Sequence, residues 1–278
     1  MINNDQLLKE KNFRDLHQQG STFILPNAWD VISAKIFEES GFKAIGTTSA
    51  GIAASLGYPD GQSLPLEKMV ETVENIAKSV DVPVSADIEA GYGENVEEVL
   101  ETVKRIITAG AIGINLEDGT GDRDHPVFDL STQVETITAI KEFSESNHFP
   151  LFINARTDIY WLNVGEASTR FNEAVKRAKA YQEAGADCIF IPGLHDKNAI
   201  QHIREEISCP INLLVNQEMP SLTELSNIGI ERVSCGSAPF RATITMLQTM
   251  SEEIIKNQTF HQMTDDVLSY NRVAELME

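Results

Sequence analysis

No run of 18 or more apolar residues occurs anywhere in the chain, so a membrane-spanning helix is not expected. The opening stretch, MINNDQLLKEKNFRDL, is polar and lacks the apolar centre of a signal peptide. Cysteine is scarce as well. Cys188, Cys209 and Cys235 are far apart, odd in number and without a CxxC pair. They read as reduced core thiols on strands, which points to the cytoplasm.

Positive charge is the other shortage. Lys and Arg total 22 against 42 Asp and Glu, a formal charge of −20. Such a surface repels phosphate backbones and anionic lipid, so neither nucleic acid nor a membrane is expected as a partner. The same charge opposes an anionic substrate, which needs local positive charge to enter; a metal ion and one well-placed arginine would supply it. There is no Pro/Gly/Ser-rich linker and no low-complexity tract. At 278 residues the chain is close to the roughly 250 of one (β/α)8 barrel, and residues 1–278 read as one domain.

What the chain does contain is alternation. Short apolar runs at 23–26, 43–48, 83–88, 112–117, 151–155, 187–192, 210–215 and 231–235 predict strands. They are near-continuously apolar, as strands covered on both faces are. Amphipathic stretches at 29–40, 66–79, 95–109, 131–146, 166–184, 196–207, 221–228 and 238–256 predict helices between and after them. Gly41, Gly110, Gly185 and Gly229 each follow a helix, where a left-handed cap favours glycine. Eight strand–helix pairs specify an α/β fold of the (β/α)8 TIM-barrel type. A helix at 4–19 precedes the barrel and would plug its N-terminal end. Residues 258–278 form a C-terminal extension, with one extra helix expected at 262–277.

Barrel active sites lie at the C-terminal ends of the strands. Those ends carry Thr48 and Ser49 with Asp60 beyond, then Asp87-x-Glu89, Glu117-Asp118, Arg156 with Asp158, Asn216, and Gly236-Ser237. In extended chain Asp87 and Glu89 share one side, and Glu117 on the next strand can converge with them. Clustered carboxylates need a cation, and oxygen ligands without nearby Cys or His favour Mg2+ or Mn2+. The plain alternative is four solvated acids at strand ends. Arg156, ending an apolar strand, suits a bidentate clamp on a substrate carboxylate; the alternative is an internal ion pair with Asp158 or a neighbouring acid. His125 and His195 follow strands but carry no specific signal. Gly236-Ser237, ahead of a helix, suits a phosphate or carboxylate.

Thr48-Ser49, SLGYPD through Asp60, ADIEAGYG from Ala86, INLED to Asp118, ARTD from Ala155 and the AGAD junction at 184–187 together resemble the isocitrate lyase/phosphoenolpyruvate mutase family. The resemblance spans roughly residues 20–245. It implies an enzyme, a carbon–carbon lyase acting on a small anionic 2-oxo- or 2-hydroxy-carboxylate through an enolate-like intermediate. P–C bond chemistry of the mutase or phosphonopyruvate hydrolase type is one alternative; a non-catalytic metabolite-binding relative is another. It also implies a Mg2+ site with Asp87 nearest the ion and Glu89, Glu117 and Asp60 completing the shell largely through water. Arg156, Asp60 and Glu117 would be catalytic; Thr48, Ser49, Arg156 and Asn216 would bind substrate. A homo-oligomer, tetramer or dimer, exchanging its C-terminal helix is implied too. The chain departs from the pattern at Glu89, where the family has Asp, and in the loop DGTGDRDHPVFDL, which lacks the lyases' Lys-Lys-Cys-Gly and the mutases' Lys and Asn. In that loop Asp122, Arg123, Asp124 and His125 are the local candidates for proton transfer, and Gly119 and Gly121 suit loop closure.

Overall fold

Among the described residues nine parallel strands arise from the apolar runs: β1 (Phe23–Leu25), β2 (Asn27–Ala28), β3 (Ile45–Thr47), β4 (Val84–Asp87), β5 (Gly113–Glu117), β6 (Phe152–Arg156), β7 (Cys188–Phe190), β8 (Ile211–Leu214) and β9 (Arg232–Ser234). The computed structural model describes residues 4–277; residues 1–3 and 278 of the expected domain lie outside the described residues. Sheet order is β1-β9-β8-β7-β6-β5-β4-β3-β2. Its two end strands are consecutive in the chain, β1 pairing with β9 and β2 with β3. Pro26 divides them because it has no N–H to give the ladder, although its carbonyl still accepts from Gly46 N at 2.8 Å. The nine strands are thus the eight of a closed barrel, the first split by one proline.

The helices are α1 (Asn4–Leu16), α2 (Val31–Glu39), α3 (Ser49–Ser55), α4 (Leu66–Ser79), α5 (Val96–Thr108), α6 (Leu130–Ser146), α7 (Ala167–Glu183), α8 (Lys197–Glu206), α9 (Leu222–Ile228), α10 (Ala238–Asn257), α11 (His261–Thr264) and α12 (Tyr270–Leu276). Side-chain caps start several of them: Asp30 accepts from Ser33 N at 2.8 Å, and Ser221 and Glu224 form a reciprocal box. The four junction glycines all take positive φ, between 91° and 105°. Two expectations are corrected. The single helix at 262–277 is two short helices, because Asp266 takes φ 54° and Ser269 starts a new cap on Arg272 N. The short α3 was not expected; Thr48 caps it, and its small residues carry little helical periodicity.

Outward strand residues such as Ile114, Leu116, Ile153, Ile189 and Leu213 pack under the helices in one large core. The barrel interior differs, because its inward positions include Ser85, Asn115, Asn154, Asn212, Arg232 and Ser234 where branched apolar residues usually dominate. An interior this polar is built to hold something other than methyl groups. At the N-terminal end α1 closes the barrel: Phe13 is fully buried, its ring 4.9 Å from Phe152. Arg14 pairs with Asp187 at 2.5 Å and anchors the same helix.

His17, just after α1, stacks on Phe152 at 4.3 Å, and burial pulls its pKa down to about 3. Between pH 6.5 and about 3 the unfolded chain binds a proton there that the folded chain refuses. Stability is therefore lost as pH falls through this window, by about 1.4 kcal/mol per unit from this group. His17→Gln should flatten the slope of unfolding free energy against pH between 6 and 4. An unchanged slope in that variant would show that other groups drive the acid sensitivity.

No helix among the described residues is long and apolar enough to cross a membrane. Helix α10 was expected to cover the barrel as its eighth helix, yet none of its residues is buried. Ile244, Met246, Leu247 and Ile255 on it are all exposed, Ile255 by 80 %.

Candidate active site

Asp87 ends β4 with its carboxylate held by three close donors and a longer one from Glu89 N at 3.5 Å. Ser49 gives both its backbone N (3.0 Å) and its hydroxyl (2.8 Å) to Oδ2, and Asn115 Nδ2 reaches Oδ1 at 2.9 Å. Asp87 N in turn donates to Thr47 Oγ1 at 2.8 Å. Because Asp87 only accepts, Asn115 must turn its oxygen away, and there it takes Asn154 Nδ2 at 2.8 Å. Three strands thereby fix one carboxylate. Thr48, expected to touch substrate, caps α3 through Gly51 N at 3.3 Å and also lines the inner cavity.

Glu89 lies two residues on, buried, with φ 52°. A left-handed turn is costly for a side-chain-bearing residue. It is held by Gln62 N at 2.5 Å and Tyr92 Oη at 2.7 Å, while Gln62 Oε1 accepts Tyr92 N at 2.5 Å. This loop contact also brings Asp60 in. Burial first, then the Asp87 charge, push the Asp60 carboxyl above its usual range. Burial lifts Glu89 to about 7, with Asp87 and Asp60 adding to the rise. Glu117 is also raised, by burial and by Asp158, Asp87 and Glu89.

Arg156 does not stand free. Its Nη1 meets Glu117 at 2.7 Å, and Nε and Nη2 meet both oxygens of Asp158 at 2.6 and 3.1 Å. The internal ion pair is thus made on both sides, and those two acids raise its pKa against the pull of burial. Asp118 turns away from the site into a buried pair with Arg177 at 3.0 Å.

Two adjoining cavities open here. An inner one of about 110 Å3 reaches Asp87, Asp60, Ser85 and Arg232; an outer one of about 530 Å3 reaches Glu89, Glu117 and Asp158. Ser49, Asp60, Arg156 and Trp161 line both. Of the loop candidates, Asp122 and Arg123 line the outer cavity, whereas Asp124 and His125 do not. His195 lies at Glu218, 3.0 Å away, and lines neither. Asn216 is placed outside both cavities: it caps its own loop, Oδ1 accepting Glu218 N at 2.8 Å. Gly236 and Ser237 do line the inner cavity, with Gly236 N given to Asn27 Oδ1 at 2.8 Å.

Trp161, Tyr92, Gln62, Asn115 and Arg232 were not singled out from sequence. Only inward parity on β5 and β9 could have drawn attention to Asn115 and Arg232; Trp161 and Gln62 sit on irregular loops without a period.

Among the described residues no three Asp, Glu, His or Cys side chains converge closely enough to hold a metal ion directly. The donor set nevertheless fits a hard cation bound through few protein ligands and water. Asp60, Asp87, Glu89, Glu117 and Asp158 face one another across this space with Arg156 already shared between two of them. All are oxygen ligands, and Mg2+ keeps several waters when bound by one or two carboxylates. Asp87, oriented by three donors, would hold the ion, with Asp60, Glu89 and Glu117 bearing on its waters.

A profile of the phosphoenolpyruvate phosphomutase family matches residues 13–255. An uncharacterised protein of Mycobacterium tuberculosis is 37 % identical over 233 residues, covering 83 % of this chain and 84 % of its own. The 2,3-dimethylmalate lyase of Eubacterium barkeri is 34 % identical over 273 residues (95 % and 92 %), and the oxaloacetate decarboxylase 2 of Pseudomonas putida 28 % over 278 (96 % and 88 %). A crystal structure of a putative lyase/mutase from Burkholderia cenocepacia superposes with TM-score 0.91 at 31 % identity, covering 98 % of this chain and 96 % of that one. The structure of a phosphonopyruvate hydrolase with oxalate and Mg2+ gives 0.83 at 25 % (96 % and 94 %).

Proposed function

The chain belongs to the phosphoenolpyruvate phosphomutase family, and on that footing we propose that it is a Mg2+-dependent carbon–carbon lyase of small 2-oxo- or 2-hydroxy-carboxylates. The carrying observation is Asp87, clamped by Ser49 and Asn115 at the wall of a small cavity among further acids. The ion, when bound, supplies positive charge that stabilises the enolate-like oxygen developing as the bond breaks. Asp87 would hold it, with Asp60, Glu89 and Glu117 bearing on its waters, and Arg156 keeps Glu117 and Asp158 in place. Trp161 and the 119–128 loop cover the outer cavity and limit water. Asp122 is the acid of that loop on the outer cavity, and it would deliver the proton that the enolate carbon takes up after cleavage. The dimethylmalate lyase and oxaloacetate decarboxylase relatives support C–C over P–C cleavage.

The test is a thermal-shift titration with oxalate, a mimic of the pyruvate enolate, with and without Mg2+, followed by turnover of oxaloacetate and alkylmalates. Mg2+-dependent stabilisation by oxalate is expected. No shift with oxalate or any 2-oxo acid removes the reading.

The protein works as a homo-oligomer in which α10 packs on a second copy of the chain. A 20-residue helix without a buried residue, carrying Leu247 and Ile255 at 61 % and 80 % exposure, supports this. In light scattering after gel filtration, Leu247→Glu with Ile255→Glu should shift an oligomer to monomer. A wild-type monomer would refute the assembly.

A further inference from the structure

Two arginines line the inner cavity, and they differ in one respect. Arg156 is neutralised by Glu117 and Asp158. Arg232 makes no ion pair among the described residues, although it is only 2 % exposed. Its Nε gives a hydrogen bond to Ser234 Oγ at 3.0 Å, Ser234 passes its own to Asn212 Oδ1 at 3.1 Å, and the guanidinium carbon sits 5.8 Å from the Phe13 ring. Among the described residues its Nη1 has no partner, nor has Asn212 Nδ2 or Ser85 Oγ. Burial pulls its pKa down to about 10, which still leaves it charged at neutral pH.

A desolvated guanidinium without a counter-anion is among the costliest groups a protein can bury, and it is retained where an anion comes to it. Neither Phe13 nor Ser234 supplies negative charge. The carboxylate that does lie within electrostatic reach, Asp87, is committed to Ser49 and Asn115. Ser85 and Arg232 line the same small cavity as Asp87 and Asp60, so a ligand at Asp87 has this uncompensated cation below it. Asn154 Oδ1 is also unpartnered, but it is an acceptor and does not line that cavity.

We propose that Arg232 is a second anion-binding group at the floor of the pocket, taking the distal carboxylate of a small dicarboxylic acid whose other end lies at Asp87. The proposal deepens the lyase reading, on which it rests, by making the substrate a dianion of few carbons. It also answers the charge problem of the acidic chain, since among the described residues Arg232 is the unpaired cation lining the inner cavity, with Arg156 already shared between two acids.

Lactate and malate differ by the distal carboxylate alone, and oxalate chelates without extending to the floor. Calorimetric titration of the full chain with each, in Mg2+, should give malate at least about tenfold tighter than lactate, the value of one charge-assisted contact. Arg232→Met should weaken malate about 10- to 100-fold, to the lactate level, while oxalate and lactate change less than about twofold. Arg232→Lys should keep part of the preference. Should Arg232→Met fail to fold, Ser85→Ala should weaken malate about threefold and spare the other two. Malate no tighter than lactate in the wild type, or equal losses for all three ligands in the variants, overturns the subsite. Loss of wild-type oxalate binding instead sinks the lyase reading, and the malate–lactate ratio still reads Arg232.

Discussion

Asp87→Asn protein should fold with a thermal midpoint within a few degrees of the wild type in metal-free buffer, yet lose the Mg2+-dependent oxalate shift. Turnover should fall by about a thousandfold, since a metal's stabilisation of developing charge is worth several kcal/mol and each 1.36 is tenfold. The two readouts diverge for a physical reason. Asn keeps the shape and one oxygen, which can still take the Ser49 amide and hydroxyl. Its new NH2 then faces Asn115 Nδ2, and turning Asn115 over would break its bond to Asn154. That mismatch costs about 1 kcal/mol. Against it stands relief of repulsion, because the Asp87 charge helps raise Asp60, Glu89 and Glu117. Glu89, about 7 in the metal-free protein, should titrate lower in the variant. A persisting oxalate shift in Asp87→Asn would place the ion elsewhere.

The barrel was legible because both periods in the sequence survive in the fold. Apolar runs gave the strands to within a residue or two, and Gly41, Gly110, Gly185 and Gly229 gave the helix ends, since a left-handed φ is a local demand. Pro26 shows the limit of that reading: a missing N–H splits one strand into two without changing the barrel. Helix α10 shows another. Its amphipathic pattern predicts a covered face, but a pattern does not say whether the cover is its own barrel or a second chain.

The site was legible as residue types at strand ends, and less so as charges in balance. Asp87, Glu89, Glu117, Asp60 and Arg156 each line at least one of the two cavities. Parity along β8 extends naturally to Asn216, but the strand ends at Leu214 and the chain turns, so Asn216 caps its loop instead. Which arginine is neutralised depends on distances across strands, and spacing along one strand is silent on that. Arg156, read from sequence as a substrate clamp or an internal ion pair, is paired with both Glu117 and Asp158; Arg232, inside an ordinary-looking ERVSC run, is the uncompensated one among the described residues.

Asp118→Ala should cost about 3–5 kcal/mol of stability, lowering the thermal midpoint by on the order of 10 °C. The carboxylate is wholly buried and ties its loop to α7 and to the segment after β6. Oδ2 accepts from Arg177 Nη1 at 3.0 Å and Tyr181 Oη at 2.6 Å, both on α7. Oδ1 accepts from Asp158 N at 2.8 Å, just past β6. Its backbone carbonyl takes Phe128 N at 2.8 Å, closing the 119–128 loop. Removing the side chain takes the buried carboxylate from Arg177, leaving it the more exposed Glu173 at 3.0 Å, Tyr181 Oη at 3.2 Å and the Phe128 carbonyl. A buried charge deprived of its partner costs more than the pair contributed, so Arg177→Met should be as damaging as Asp118→Ala. The double variant should then lose less than the two singles together by about 2 kcal/mol or more. The damage should reach chemistry too. Freed of Asp118, Asp158 loosens its hold on Arg156, and turnover should fall even well below the melting temperature. Single losses under about 1 kcal/mol, or strict additivity, would mean that Asp118 neither braces α7 nor positions the arginine beside Glu117.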